Sequence, residues 1–205
     1  MKVLLINGSP KKNGNTAMGL DEMVKIFEKE GIETEILQVG GRDIRGCIAC
    51  GKCRQLGHCV FDDIVVEAGK KLAEADGLVI GSPVYYGSAN GTLVAFLDRL
   101  FYSNTADLRM KVGCAFGVAR RGGITATFDQ LNKYFTISGM SVASGQYWNG
   151  LHGAAPGEAV EDGEGLQQMR TLASNMAFLM KSIALGREKY GLPEKEAPVR
   201  TNFIR

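Results

Sequence analysis

KVLLINGSPKKNGNT, residues 2–16, is the stretch whose reading decides the fold. Residues 2–6 are a largely apolar run that stops at Asn7 and a Gly8-Ser9-Pro10 turn. From Thr16, apolar residues recur at Leu20, Met23, Val24 and Phe27, the spacing of one helix face, until Gly31 supplies a stop. A buried strand that feeds a loop, which in turn opens a helix, is the first unit of an alternating α/β chain. The backbone N–H groups of such a loop, with the hydroxyls of Ser9 and Thr16, can converge on an anion at the helix N-terminus, and a phosphate suits it. The loop is not a Walker A loop, because Asn15 stands where the lysine should follow Gly14, and it is not GxGxxG. Plain helix capping by Ser9, Asn15 and Thr16 would use the same residues without a ligand.

The alternation continues. Strands are predicted over 34–39, 76–81 (ending in a second Ser-Pro turn), 111–118 and 140–143, and helices over 62–75, 93–102, 125–137 and 165–188. Strands joined by helical crossovers run parallel, and right-handed crossovers cover both faces of the sheet. The expected fold class is therefore α/β, a doubly wound five-stranded parallel sheet with helices on both faces. One domain is expected over 1–190, with the cysteine-rich segment 47–59 inserted after the second strand. Residues 191–205, with Pro193, Pro198 and no periodicity, read as a C-terminal extension. The composition, 45% hydrophobic and 22% charged over 205 residues, is that of a soluble globular protein. A net charge of +2, without basic runs interleaved with aromatics, gives nucleic-acid binding little electrostatic support. No apolar run is long enough for a membrane span and the start is no signal peptide, so a cytoplasmic location is expected.

In open parallel sheets, ligands bind beyond the carboxyl ends of the strands. Two further loops fall there. SPVYYGSANG, residues 82–91, offers Tyr85 and Tyr86 to stack on or edge a planar heterocycle, although both rings would serve equally to pack a turn on the following helix. ARRGGIT, residues 119–125, places Arg120 and Arg121 beside Gly122 and Gly123, which permit close backbone approach. A phosphate loop followed by two loops suited to a flat ring favours flavin mononucleotide (FMN).

Four of the five cysteines fall in CIACGKCRQLGHC, Cys47 to Cys59. In a reducing compartment such a cluster is more often metal-binding or redox-active than a set of disulfides. Structural zinc usually takes two separated pairs. Here Cys47, Cys50 and Cys53 follow at intervals of three and Cys59 closes after five more residues, a spacing closer to the runs that wrap a 4Fe-4S cluster. Ordinary free thiols remain the alternative. Arg45, Lys52, Arg54 and His58 supply nearby positive or polar groups for an anionic cluster. Cys114 reads as a small buried apolar residue, and His58, His152 and the region 145–165 with Trp148 receive no assigned role.

These residues, GSPKKNGNT at 8–16, CIACGKCRQLGHCVFDD at 47–63, ADGLVIGSPVYYGS at 75–88 and the Arg121-Gly122-Gly123 triplet, resemble those of the flavodoxin-like NAD(P)H-dependent FMN reductases, and within them the iron-sulfur flavoproteins. The resemblance runs to about residue 187. It implies the five-stranded flavodoxin-like sheet and an FMN held by its phosphate through Ser9, Lys11, Asn15 and Thr16. The ring would be held by Pro83, Val84, Tyr85, Tyr86, Gly87 and Ser88, with Arg121, Gly122 and Gly123. It also implies a 4Fe-4S cluster on Cys47, Cys50, Cys53 and Cys59, and NAD(P)H or a ferredoxin-like protein as donor to a small acceptor. A homodimer or dimer of dimers is implied as well. Since flavin and cluster carry the electrons, no side chain is nominated as an acid, base or nucleophile. A cluster-free NAD(P)H:flavin or quinone reductase, a non-catalytic flavodoxin-like carrier and a zinc-stabilised interaction domain are the alternatives.

Overall fold

Residues 1–203 are described by the computed structural model; the last two positions of the 191–205 extension lie outside the described residues. The elements are β1 (Lys2–Asn7), α1 (Asn15–Lys29), β2 (Glu33–Gln38), α2 (Cys53–Leu56), α3 (Ile64–Glu74), β3 (Gly77–Tyr85), β4 (Ser88–Ala89), α4 (Gly91–Ser103), β5 (Val112–Ala119), α5 (Ile124–Ile137), β6 (Ser141–Val142), β7 (Gly150–His152), a 3-10 turn (Glu158–Glu161) and α6 (Gly163–Tyr190). The parallel path is β2-β1-β3-β5-β6, the doubly wound flavodoxin-like order.

Alternation within the strands builds two cores. On β1 and β3, Leu4, Ile6, Leu78 and Ile80 face α3, α4 and α5, packing on Leu72, Phe96, Leu100 and Phe135. Val3, Leu5 and Val79 point the other way, onto Leu20, Met23 and Phe27 of α1 and Leu172 and Met176 of α6. Each strand is thus buried on both faces, as a covered parallel sheet requires. Cys114 lies in the second core as a small apolar residue, its thiol pushed far up by burial.

Seven strands replace the expected five. The fifth parallel position is shared: β6 pairs with β5 at Val112 and Gly113, and β7 at Gly117 to Ala119. Between them the chain leaves the sheet. The three residues of β7 carry no period of their own, so their pairing with β5 defines them. The other addition is β4, antiparallel to the end of β3. β3 itself continues through Ser82 and Pro83 to Tyr85, where a turn was expected. Its ladder to β1 ends at Gly81, and a residue lacking an N–H is tolerated where one edge is open. The short α2, within the cysteine segment, was also unforeseen. Beyond Tyr190 the described chain is exposed and without regular structure, with the Pro193 carbonyl accepting from Arg109 Nη1 at 3.2 Å. Among the described residues no helix is long and apolar enough to cross a membrane.

Candidate functional site

The loop after β1 is braced from behind before it can serve any ligand. Asn7 Oδ1 accepts the Ser9 N–H at 3.0 Å, and Asn7 Nδ2 donates to Gln38 Oε1 at 2.9 Å. Gln38 Nε2 in turn donates to the Ser9 carbonyl at 2.7 Å and the Gly40 carbonyl at 2.9 Å. Gly40 lies so close that a Cβ there would stand 2.1 Å from the Ser9 carbonyl carbon. Within the loop, Ser9 Oγ accepts from the Lys11 N–H at 3.2 Å, and Ser9 and Thr16 are buried.

Ser9, Lys11, Gly14, Asn15 and Thr16 share a cleft of about 250 Å³ with Pro83, Val84 and Tyr85. The first two loops therefore meet in one cleft. The far wall is Val118, Ala119, Arg120, Gly153, Ala154 and Pro156, all outside the expected set. Arg120 was signalled only by its place in the third loop; residues 153–156 gave no signal. They are brought in by Asn15, whose Nδ2 donates to the Ala155 carbonyl at 2.9 Å and whose Oδ1 accepts from Gly157 N at 2.9 Å and Ala159 N at 3.2 Å. Asn15 is thus a staple between the start of α1 and residues 155–159 as well as part of the cleft wall.

The remaining expected ring residues divide. Tyr86 and Gly87 are the two central residues of the β3–β4 hairpin, with φ of 52° and 71°, as a type I′ turn requires. A tyrosine there is an outlier, and its ring is fully exposed at the tip. Ser88 Oγ donates to Gln130 Oε1 at 2.7 Å and ties the hairpin to α5. Arg121, Gly122 and Gly123 line a different cavity, of about 340 Å³, with Tyr147, Trp148 and His152. Hairpin and third loop still touch: a Cβ on Gly123 would stand 2.7 Å from Val84 Cγ1 and 2.9 Å from Gly87 Cα.

Cys47, Cys50, Cys53 and Cys59 line one recess, together with Phe61 and the buried Arg99. Arg99 Nε and Nη2 donate to Cys59 Sγ at 3.3 and 3.2 Å. The same guanidinium forks onto Asp63, Nη1 to Oδ2 at 2.7 Å and Nη2 to Oδ1 at 3.0 Å, and lies 5.0 Å over the Phe61 ring. Asp63 also caps α3 by accepting from Val65 N at 3.0 Å. A set of four thiols beside a buried cation is chemically right for an anionic cluster. The recess, however, measures only about 20 Å³, and among the described residues no three His, Cys, Asp or Glu side chains form a group that could hold a metal ion.

The model of the NADPH-dependent FMN reductase family matches residues 1–154. An iron-sulfur flavoprotein of Methanocaldococcus jannaschii is 37% identical over 191 residues, covering 89% of this chain and 99% of that protein. One of Methanosarcina thermophila is 31% identical, over 92% and 100% respectively. The crystal structure of RosB with a bound 8-demethyl-8-formylriboflavin-5′-phosphate shares the fold, with a TM-score of 0.73 at 19% identity over 100% of this chain and 92% of that one. With a phosphate-type loop, a tyrosine hairpin and an arginine-glycine loop assembled on this sheet, the chain belongs to the NADPH-dependent FMN reductase family, alongside the iron-sulfur flavoproteins, and is an FMN-dependent oxidoreductase.

Proposed function

We propose that the protein passes electrons between NAD(P)H or a one-electron, ferredoxin-like donor and a small acceptor through FMN bound in the 250 Å³ cleft. The observation that carries this reading is the meeting of residues 8–16 and 83–85 in one cleft. The Lys11 ammonium, the Ser9 and Thr16 hydroxyls and the loop N–H groups would hold the phosphate, with Asn15 fixing the wall behind it. Tyr85 and the backbone of 83–88 would lie along the ring, Arg120 would close its far side, and Gly123 of the third loop would let the hairpin pack closely behind it. When bound, the flavin takes electrons in pairs and releases them singly. The side chains bind, orient and shield it.

A 4Fe-4S cluster on Cys47, Cys50, Cys53 and Cys59 belongs to the same proposal, supported by the names of the relatives and by the donor set. Loading it requires the cysteine segment to rearrange until the thiols converge. The lack of a converged ligand group among the described residues favours, as a second reading, a cluster-free reductase using NAD(P)H. The assembly we propose is a homodimer or dimer of dimers.

FMN titration followed by quenching of flavin fluorescence tests the cleft. Lys11→Ala and Ser9→Ala each remove a polar contact to the phosphate and are expected to weaken FMN binding about tenfold, or about 1.4 kcal/mol. Wild-type protein that leaves flavin fluorescence unchanged would refute the reading. Iron and acid-labile sulfide measured after anaerobic reconstitution separate the two versions: about four of each per chain for the cluster, none for the cluster-free reductase.

A further inference from the structure

The cavity holding Arg121 is a second site, with its own construction. Consecutive residues at the ends of β5 and β7 divide between the two spaces: Arg120 and Gly153 line the cleft, Arg121 and His152 the cavity. The strand ends are therefore a shared wall. The cavity volume of about 340 Å³ falls in the range of small-molecule sites. Tyr147 and Trp148 stand over it, both exposed, with ring centroids 5.1 Å apart. Gly122, Gly123 and Gly150 bring backbone to the lining, and the Ile124 side chain fills the space beside Gly150.

The aromatic corner is held in place. Gln168, only 3% exposed, accepts through Oε1 from the N–H groups of Gln146 at 3.0 Å and Tyr147 at 3.1 Å. Its Nε2 donates to the Tyr147 carbonyl at 2.7 Å and to Asn149 Oδ1 at 2.8 Å. All of its hydrogen-bonding capacity is spent on the loop beneath the two rings. Asp162 accepts from the N–H groups of His152 and Gly165, at 2.6 and 2.9 Å, and its Oδ2 lies 3.4 Å from His152 Nδ1, so with Glu164 the lining sets two carboxylates against the one guanidinium of Arg121. Rings that stack, an excess of negative charge that repels anions and a guanidinium with hydrogen bonds to give select a flat molecule without acidic groups but with acceptor oxygens.

We propose that this cavity binds a small, uncharged planar aromatic bearing carbonyl or nitro oxygens, stacked at Tyr147 and Trp148 with its oxygens toward Arg121, and that it does so independently of FMN in the neighbouring cleft. Trp148 is the one tryptophan of the chain, so its fluorescence reports the cavity directly. The probe is duroquinone, neutral, planar and fully substituted against thiol addition, titrated into FMN-free and FMN-saturated protein with N-acetyltryptophanamide as the collisional baseline. Saturable quenching above that baseline, with equal affinity in both states, is the expected result. Tyr147→Ala should weaken it up to about tenfold through the lost stacking. Thr125→Phe, on the exposed first turn of α5, should abolish saturation by filling the cavity. Quenching no greater than for the free indole, displacement of the quinone by FMN, or unchanged affinity in both variants would each overturn the proposal. FMN binding is read separately from flavin fluorescence, so a failure of the cavity and a failure of the cleft give different results.

Discussion

Arg99 is 1% exposed and gives its donors to Asp63, Cys59 Sγ and, at 3.4 Å, the Arg45 carbonyl. One side chain on α4 thereby fixes the start of α3 and the last cysteine of the motif. Truncation strands the Asp63 carboxylate. Arg99→Ala is expected to cost about 3 kcal/mol, measured by urea unfolding. Arg99→Lys keeps a charge but not the planar fork, and should recover only part of that loss. The cysteines make a second prediction at this scale. In metal-free protein Cys47, Cys50, Cys53 and Cys59, exposed or half-buried, should react with a thiol reagent under native conditions, whereas Cys114 should react only after denaturation. Burial disfavours the Cys114 thiolate, which is the reactive form. Native reaction of all five would contradict the assigned core position.

At the scale of elements, the phosphate-type loop depends on the chain that leaves β2. Gly40→Ala drives a methyl group into the Ser9 carbonyl, backbone against backbone, and the loop must shift. The variant should bind FMN at least about tenfold more weakly, a loss near 1.4 kcal/mol that titration with flavin would reveal. The elements that the sequence announced are those with a period of their own. The apolar run of 2–6 and the helical spacing read between Thr16 and the stop at Gly31 mark β1 and α1 within two residues at each end. β4 and β7, at two and three residues, are too short to carry any period and exist through their partners. The same limit hid half of the cleft. Ser9 and Lys11 in the loop after β1, Thr16 at the start of α1 and Tyr85 at the end of β3 lie at or shortly after readable strands, whereas 153–156 arrive through hydrogen bonds to Asn15 from residues 140 to 144 positions away. Arg121 was grouped with the flavin loops by chain order and by resemblance; in the bend that follows β5 it lines the second cavity while Arg120 lines the cleft.

For the molecule as a whole, α1 and α6 close the second core and are clamped at its rim by Glu22. Its carboxylate takes Lys25 Nζ at 2.7 Å and Arg170 Nη1 at 2.6 Å, which holds its pKa below the ordinary 4.5, the Lys25 hydrogen bond contributing most and Arg170 next. Because the ionised form is favoured in the fold, this stabilisation is complete above pH 4.5 and is lost as the pH falls through the lowered folded value. Glu22→Gln should therefore lower stability by about 1 kcal/mol at pH 7 and converge with the wild type in strongly acidic urea titrations. A gap that widened on acidification would refute the clamp. The Asn15 staple carries a different consequence, one of timing. The ribosome delivers Asn15 early, but its partners at Ala155, Gly157 and Ala159 emerge only when three-quarters of the chain has been made. A nascent chain can lay down β1 and α1 long before that, yet the cleft has no far wall until the late segment arrives, so the cleft is among the last parts of the molecule to be completed.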